Sequence, residues 1–367
     1  MATVFGASQH LVSLLLTPNK NKLIRRGILF LLLGLTIFII YLYFFVGIAE
    51  LVEAAKKIDL TYYSLAVLAL LLGAVFYSLA WHHILGLLKI KSAFRKTFSL
   101  IWVGAFVDLM IPAESFSGEL SKIYLMSKNS GEDMGKVAAS VVSHRILTMA
   151  TALCGILIGS TFLFLEHETS QLVVNLMLFV AASNIVALFL MCYLSLNPQA
   201  TTKISALIIR FISFISRGHW KLDSFKHELE QALTNFHKGM RLLAKKPKNL
   251  AAPLLFSAIA FLLDLSITFT VLFSLGVTAS LSVILIVYVI VNAIQAIPLG
   301  IPGEVGITDV AMASLYSLLG IPVGISGAAT VLTRLLTVWL RIFAGYLVIQ
   351  WMGIAILRDR EARASLT

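Results

Sequence analysis

The amino-acid sequence predicts an all-α polytopic membrane protein with about six full transmembrane helices, two re-entrant helix pairs broken by proline and glycine, and an inverted repeat. Hydrophobic residues make up 59% of the 367 residues and charged residues only 13%, whereas a soluble chain carries about 45–50% and about 25%. The apolar residues form runs long enough to cross a bilayer, and most basic residues fall between those runs.

This composition excludes a disordered chain and an ordinary cytosolic enzyme. The net charge of +11 would suggest a nucleic-acid partner in a soluble protein. Here the basic residues lie in segments typical of cytoplasmic loops that face anionic lipid, so we expect no nucleic-acid partner. The two cysteines, Cys154 and Cys192, lie inside apolar runs and indicate no disulfide framework.

Six apolar runs are long enough to span a membrane, since a helix needs about 20 residues to cross a hydrocarbon core about 30 Å thick. The first run follows four basic residues at positions 20–26 and is typical of a signal anchor. The predicted spans are residues 28–48, 60–81, 137–165, 172–196, 251–275 and 325–352.

Two further apolar runs are interrupted by proline and glycine. Residues 98–111 lead into the sequence PAESFSGE at 112–119, and residues 281–297 lead into PLGIPGE at 298–304. Proline ends a helix because it lacks an N–H group and clashes with the preceding turn. Each run therefore predicts a helix that enters the membrane, breaks and returns, which gives the re-entrant segments 98–128 and 281–320.

The distribution of basic residues orients the chain, because basic loops stay in the cytoplasm. This rule places both termini there, provided that both broken segments return to the side from which they entered. We expect a multi-pass protein of the cell (plasma) membrane. Its predicted parts are a cytoplasmic interfacial arm (1–27), a first membrane half (28–196), a basic cytoplasmic amphipathic connection (197–250), a second membrane half (251–352) and a cytoplasmic tail (353–367).

Two patterns support this organisation. Residues 222–243 carry apolar side chains at steps of three and four, which predicts an amphipathic helix along the cytoplasmic interface, as a lid or linker. The sequence AASVVSHRILT at 138–148 resembles AATVLTRLLT at 328–337. Each copy follows one break, and inverted repeats with discontinuous helices are a known transporter plan. Chance similarity within a small apolar alphabet is the alternative.

Charged side chains inside apolar runs are candidate functional residues, because placing a charge within a bilayer costs free energy. The alternative for each is a salt bridge between helices or an arginine that reaches the interface, and Arg341 and Asp108 fit that alternative best. Arg145 and Arg334 lie deep, which favours a functional role. The other candidates are Glu114, Glu119, Asp264, Glu304 and Asp309.

The chemistry of the two breaks favours an anionic ligand. Arginine binds phosphate through two hydrogen bonds and stays charged in a low dielectric. A returning half-helix also points its free N–H groups toward the membrane centre. The residues expected at the two helix N-termini are Ser115, Ser117 and Gly118 in the first half, and Gly303, Gly306 and Thr308 in the second.

Three roles are open for the carboxylates Glu119 and Glu304: pairing with the arginines, binding a cationic headgroup, or carrying a coupling proton. The sequence contains no H-E-x-x-H, G-x-S-x-G or P-loop motif, so we expect no catalytic residue, no metal and no cofactor. The tryptophans Trp81, Trp220 and Trp351 are expected to anchor the chain at the membrane interface.

The two breaks resemble the lysylphosphatidylglycerol synthase transmembrane, or flippase-like, family. The similarity rests on residues 112–125 with 138–145, and on residues 297–309 with 328–334, and it covers nearly the whole chain. The second break is similar to the Pro-Gly-Gly-x-Gly-x-x-Glu segment of that family. Lys122 stands where the family frequently has arginine, Glu304 where it often has a small residue, and Asp309 where it usually has glutamate.

The resemblance implies lipid transport. In the multiple peptide resistance factors of this family, the membrane portion moves an aminoacylated phosphatidylglycerol between leaflets, and a separate soluble domain makes that lipid. The present sequence resembles the membrane portion alone. We therefore expect a stand-alone translocator, not an enzyme, that moves a modified phospholipid or a polyprenyl-phosphate carrier.

In this interpretation Arg145 and Arg334 hold the headgroup phosphate. The expected partners of the protein are membrane lipids with an anionic or phosphate-bearing headgroup. Oligomerisation is left open. The alternatives are a secondary transporter of a small water-soluble anion and a membrane-embedded enzyme acting on a lipid headgroup. The remaining substrate-binding candidates are Glu119, Glu304, Asp309, Lys122, Asp264 and the small residues at the two breaks.

Overall fold

The computed structural model describes residues 56–111, 116–166, 171–215, 223–295 and 301–364, together with single positions between 36 and 53. The predicted N-terminal arm and almost all of the first predicted span, residues 28–48, lie outside the described residues. The same holds for Glu114, Ser115 and Trp220. The regular elements within the described ranges are helices, which confirms the predicted all-α fold.

In the first half, one long helix is followed by two shorter helices and then by two more long ones. The long helices have mostly apolar sequences, as crossing a bilayer requires. The five helices are α1 (Leu60–Leu87), α2 (Phe94–Met110), α3 (Phe116–Ser130), α4 (Met134–Glu166) and α5 (Gln171–Leu196).

The second half repeats the order of a long helix, two shorter helices and a long helix. Two connecting helices precede it, α6 (Pro198–Ile215) and α7 (Asp223–Ala244). The half then consists of α8 (Ala251–Ser274), α9 (Leu281–Gln295), α10 (Ile307–Leu318), α11 (Val323–Arg334) and α12 (Arg341–Ala364). A π-helical segment, Leu335–Leu340, joins α11 to α12 in one long C-terminal helix.

Helices α1 and α8, which begin the two halves, run antiparallel along each other. The ring of Tyr62 near the start of α1 packs edge-on against Phe273 at the end of α8, with ring centroids 4.5 Å apart. Farther along α1, Phe76 lies 6.2 Å from Phe256 near the start of α8. The same helix order in both halves and the opposite direction of these two helices agree with the predicted inverted repeat.

Within the described residues, five helical stretches are long and apolar enough to cross a membrane, which confirms a multi-pass membrane protein. They cover Leu60–Leu87, Met134–Phe162, Val174–Leu196, Pro247–Ser274 and Val323–Met352, and thus match five of the six predicted spans. Helix α5 is the most exposed of them. Its residues Phe179 and Phe189 are each 71% exposed, as expected of a helix whose solvent is lipid.

Two large apolar cores and one small cluster hold the described helices together. One large core is formed mainly by α8 to α11 with the first part of α1, and the other by the second part of α1 with α2, α3, α4 and α7. Trp81 belongs to the second core and is fully buried, with its indole N–H donating to the Ser140 hydroxyl at 3.1 Å. The prediction that Trp81 anchors the chain at the interface is wrong, because neighbouring helices cover its ring.

The predicted amphipathic helix is present as α7, and its apolar side packs on α4. Met240 and Leu243 are buried there, and Sδ of Met240 lies 3.2 Å from the Ser143 hydroxyl of α4. The backbones meet at Gly135, where an added Cβ would collide with the Ala232 carbonyl. The apolar stripe therefore serves contact with protein, a use that periodicity alone does not distinguish from contact with lipid.

A close contact between α2 and α12 joins the two halves. An added Cβ at Gly345 of α12 would lie 2.6 Å from Cβ of Phe106 and 2.7 Å from the carbonyl oxygen of Trp102, both in α2. Small residues allow membrane helices to approach in this way. Glycine at position 345 therefore sets how closely the second half can pack on α2.

We expect Gly345→Ala to destabilise the protein by about 1–3 kcal/mol, because the new methyl group overpacks the contact between α2 and α12. Gly86→Ala is the matched control. Gly86 is exposed in α1, and an added Cβ there meets no described atom within 4 Å, so alanine should gain up to about 1 kcal/mol in helix propensity. Thermal unfolding in detergent measures both changes, and equal effects of the two would contradict this account.

Candidate functional site

The first break is closed by Asp108, near the end of α2. Its Oδ1 accepts a hydrogen bond from the N–H of Gly118 at 2.6 Å and another from the Ser117 hydroxyl at 3.0 Å. The N–H groups in the first turn of a helix lack helical partners and attract negative charge. A carboxylate of the protein thus lies at the N-terminus that the sequence predicts as an anion site, and a ligand there would have to displace Asp108.

Helices α2 and α3 form an antiparallel hairpin around this break. An added Cβ at Gly118 would collide with the Asp108 carboxylate and the Gly104 carbonyl, and one at Gly104 would lie 3.1 Å from Cγ of Lys122. The contacts move backward along α2 as they move forward along α3. The chain therefore reverses direction as predicted from the Pro/Gly-rich sequence, and entry of the hairpin into the bilayer stays a prediction.

Lys122 of α3 is buried beneath two aromatic rings of α1. Only 5% of the residue is exposed, and its Nζ lies 3.0 Å from Oε2 of Glu119. The same Nζ is 5.6 Å from the ring centroid of Trp81 and 5.9 Å from that of Tyr77. A buried ammonium needs such partners, a carboxylate and aromatic faces. The structure thus pairs Glu119 with Lys122 rather than with an arginine.

The apolar helix α4 carries His144 and Arg145 beside this cluster. His144 is 1% exposed, its ring meets Tyr77 edge-on at 4.4 Å between centroids, and its Nε2 has no hydrogen-bond partner in the described part of the chain. Arg145 is half-buried. Its guanidinium forms neither an ion pair nor a hydrogen bond with any described residue.

The second break is closed by an ion pair between Asp309 and Arg334. Nε of Arg334 lies 2.7 Å from Oδ1 of Asp309, and its Nη2 donates to the carbonyl of Gly303. Oδ2 of Asp309 accepts from the N–H of Gly306 at 2.7 Å. Arg334 and Asp309 are only 5% and 2% exposed. This arrangement ties the end of α11 to the turn before α10, so binding of a phosphate by Arg334 would require the pair to open.

The turn before α10 has an unusual backbone. Gly303 and Gly306 have φ values of 60° and 96°, which glycine adopts without steric cost. Glu304 between them has a φ of 45°, a conformation that costs a residue with a Cβ about 1–2 kcal/mol. The fold therefore places a glutamate where glycine would cost less conformational free energy. At this position the family that the sequence resembles often has a small residue.

The two breaks lie next to each other. An added Cβ at Gly303 would be 3.7 Å from Cδ2 of Leu109 and 3.3 Å from Cγ1 of Val338. Leu109 follows Asp108 directly in α2. The structure thus brings the second broken segment against the end of the first, as a binding site shared between the two halves requires.

Asp264 of α8 joins three helices. Its Oδ1 accepts from Nη2 of Arg341 in α12 at 2.8 Å, and its Oδ2 accepts from the hydroxyl of Tyr288 in α9 at 2.8 Å. This pair is the helix-joining salt bridge that the sequence analysis gave as the alternative for Arg341, and the structure confirms it. Asp264 was predicted as a substrate-binding residue, and here its carboxylate is engaged by protein groups.

Helices α1 to α11 and both breaks lie within the region matched by a known membrane family. The family model described as "Lysylphosphatidylglycerol synthase TM region" matches residues 31–345. The chain belongs to the lysylphosphatidylglycerol synthase transmembrane family. This match confirms the resemblance of the two breaks to that family.

Three relatives are similar in sequence to the chain over most of their length. A UPF0104 membrane protein of Methanothermobacter thermautotrophicus is 25% identical over 309 residues, 84% of this chain and 90% of the relative. One of Pyrococcus horikoshii is 25% identical over 343 residues, 92% and 98% of the two chains. One of Methanocaldococcus jannaschii is 23% identical over 335 residues, 89% and 95%.

Sequence reasoning missed the aromatic partners of Lys122 and the glycine that contacts it. Tyr77 and Trp81 are four residues apart in α1, and Gly104 and Asp108 are four apart in α2, so each pair shares one helix face. That spacing was visible, but nothing in the sequence says which helix each face meets. Among the described residues, no group of three or more His, Cys, Asp or Glu side chains could hold a metal ion.

We expect Arg334→Gln to destabilise the protein by about 3–5 kcal/mol, because it leaves the buried Asp309 carboxylate unpaired. Arg145→Gln removes a charge without a described partner and should leave the free energy of unfolding unchanged or raised. Thermal unfolding in one detergent compares them. The double variant Arg334→Gln/Asp309→Asn should recover part of the loss, and an Arg334→Gln variant as stable as the parent would contradict the ion pair.

Proposed function

We propose that this protein is a lipid translocator that moves a phosphate-containing lipid between the leaflets of a membrane, and that Arg145 binds the phosphate. Membership of the lysylphosphatidylglycerol synthase transmembrane family supports a lipid-related role in the membrane. The observation that carries the proposal is the contrast between Arg145 and the other charged side chains near the two breaks.

The other charged side chains that the structure describes near the breaks have partners within the protein. Lys122 pairs with Glu119, Arg334 with Asp309, and Arg341 with Asp264, while Asp108 binds donors at the start of α3. Arg145 alone, among the arginines and lysines in the middle of the described apolar helices, has no ion pair or hydrogen bond to a described residue. A half-buried guanidinium without an anion is costly within a bilayer. A bound anion would provide the negative charge that pairs with Arg145.

A phosphate suits this arginine. The guanidinium presents parallel N–H groups that match two phosphate oxygens, and it stays charged in a low dielectric. We propose that Arg334 positions the second break through its ion pair, and that the Glu304 carboxylate contacts a cationic headgroup or carries a coupling proton.

The surface of the first break supports a lipid rather than a water-soluble cargo. Phe116 and Leu120, one turn apart on α3, are 76% and 59% exposed, and Met110 at the end of α2 is 46% exposed. Gly118 and Lys122 on the other side of α3 are buried. A groove for lipid has to open sideways toward acyl chains, and an apolar exposed face beside a charged interior provides such an opening.

Proteoliposomes that contain the purified protein and a fluorescent phosphatidylglycerol test the proposal. Quenching of the outer leaflet by dithionite measures how fast the lipid exchanges between leaflets. We expect exchange above that of protein-free vesicles and a loss of at least about tenfold in Arg145→Gln, equivalent to about 1.4 kcal/mol of binding or barrier. Arg145→Lys should retain part of the rate, since it keeps the charge but not the fork.

Arg95→Gln is the matched control, because Arg95 is an exposed arginine at the start of α2 and its loss removes the same charge outside the breaks. A wild-type rate in Arg145→Gln would show that the phosphate site is placed wrongly. If proteoliposomes exchange lipid no faster than protein-free vesicles but take up inorganic phosphate or a small organic anion, the protein is instead a transporter of water-soluble anions.

A further inference from the structure

The turn between α1 and α2 opens into a cavity of about 750 Å³, far from the breaks. Its walls come from the end of α1, the turn, the start of α2 and the last turn of α3. Because α2 and α3 are antiparallel, the C-terminus of α3 returns to the N-terminus of α2. Its polar lining includes Lys89, Lys91, Ser92, Lys96, Asn129 and Ser130.

Positive charge in this cavity has no acidic counterpart among its lining residues. Lys89, Lys91 and Lys96 are exposed, and none of them forms an ion pair with a described residue. The acidic residues that follow α3 are engaged elsewhere. Glu132 pairs with Lys136 at 2.8 Å, and Asp133 accepts a hydrogen bond from the N–H of Gly135 at 2.8 Å. Three lysines therefore share one concave surface without neutralisation by the described residues.

Lys89 differs from the other two lysines in its backbone conformation. α1 ends in a Schellman motif, with the N–H of Ile90 donating to the Leu85 carbonyl and the N–H of Lys89 to the Gly86 carbonyl, both at 2.9 Å. The residue at the position of Lys89 takes a left-handed conformation and is usually glycine. Lys89 has a φ of 57°, so the fold keeps a strained lysine at the cavity wall.

Neutral donors surround the lysines. Asn129 supplies a side-chain amide within the same lining, whereas the hydroxyls of Ser92 and Ser130 already donate to the carbonyls of Ala93 and Met126. The first residues of α2 add N–H groups, because the N-cap residue Ala93 provides no side-chain hydrogen bond to them. Ammonium groups and amide N–H groups together are donors that phosphate oxygens accept from.

We infer that this cavity is a phosphate-binding site distinct from the breaks, and that it holds a phosphate group at the membrane face where α1 ends. The phosphate can belong to the headgroup of an anionic lipid or to a water-soluble phosphate compound. The cavity lies at the opposite end of the α2–α3 hairpin from Asp108, about 21 Å away along α2. The inference is therefore independent of the proposed function of Arg145.

The test uses the variant Lys89→Gly/Lys91→Gln/Lys96→Gln, which removes three positive charges from the cavity. Glycine at position 89 relieves the positive φ, so we expect the melting temperature to stay equal to the parent or to rise. The matched control removes the same charge from another exposed basic segment, the end of α7 and the turn before α8. It is Lys245→Gln/Lys246→Gln/Lys248→Gln.

Purified protein in detergent is titrated with dioctanoyl phosphatidic acid, a short-chain anionic lipid, and separately with inorganic phosphate. All proteins carry Arg145→Gln, so that the site proposed at the breaks does not contribute. We expect the lipid to bind the parent and the control alike, and to bind the cavity variant at least about tenfold more weakly, since each lysine contributes to the attraction of an anionic headgroup.

Each outcome decides a separate point. Binding of the lipid but not of inorganic phosphate assigns the cavity to a lipid headgroup, and binding of both with the same loss assigns it to the phosphate group itself. Equal losses in the cavity variant and in the control would overturn the inference in favour of diffuse attraction by basic segments. Absence of binding of either probe to the parent would also overturn it.

Discussion

A break between helices leaves N–H and carbonyl groups without helical partners, and two aspartates satisfy such groups in this protein. Asp108 accepts hydrogen bonds from the start of α3. Asp309 accepts one from Gly306 and holds Arg334, whose other nitrogen binds the Gly303 carbonyl. The closeness of the two breaks and the burial of their charges depend on these bonds, since an unsatisfied break would open toward water or toward another helix.

The long spans were predictable because length and composition alone decide them, and the chain reversal at the first break followed from proline and glycine. The partners of individual side chains were not predictable. Trp81 stands at the end of a span, as an interface anchor would, yet α4 covers it and Lys122 lies over its ring. Which helix faces meet is decided by contacts between residues far apart in the chain, and periodicity carries no record of them.

The predicted internal repeat aligns Arg145 with Arg334, but the surroundings of the two arginines differ. In the second half, the acidic residue stands inside the half-helix at Asp309, within reach of the arginine on the following helix. In the first half, the acidic residue of the half-helix, Glu119, pairs with Lys122 of the same helix instead of with an arginine. Asp108 of the preceding helix accepts the hydrogen bond from the N–H of Gly118. A similar pattern therefore produces one closed ion pair and one arginine without an ion pair to a described residue, which sequence symmetry could not show.

The π-helical segment Leu335–Leu340 decides how the C-terminal helix uses its two arginines. Seven residues separate Arg334 from Arg341, and in a continuous α-helix of about 3.6 residues per turn they would lie on almost the same face. A π turn holds one more residue than an α turn and rotates everything beyond it. Because of that rotation, the two arginines of one helix point in different directions. Arg334 pairs with Asp309, and Arg341 pairs with Asp264. Tightening the segment to regular α-helix would turn α12 by about 100° relative to α11 for each residue of register gained, and both ion pairs could not survive the turn together.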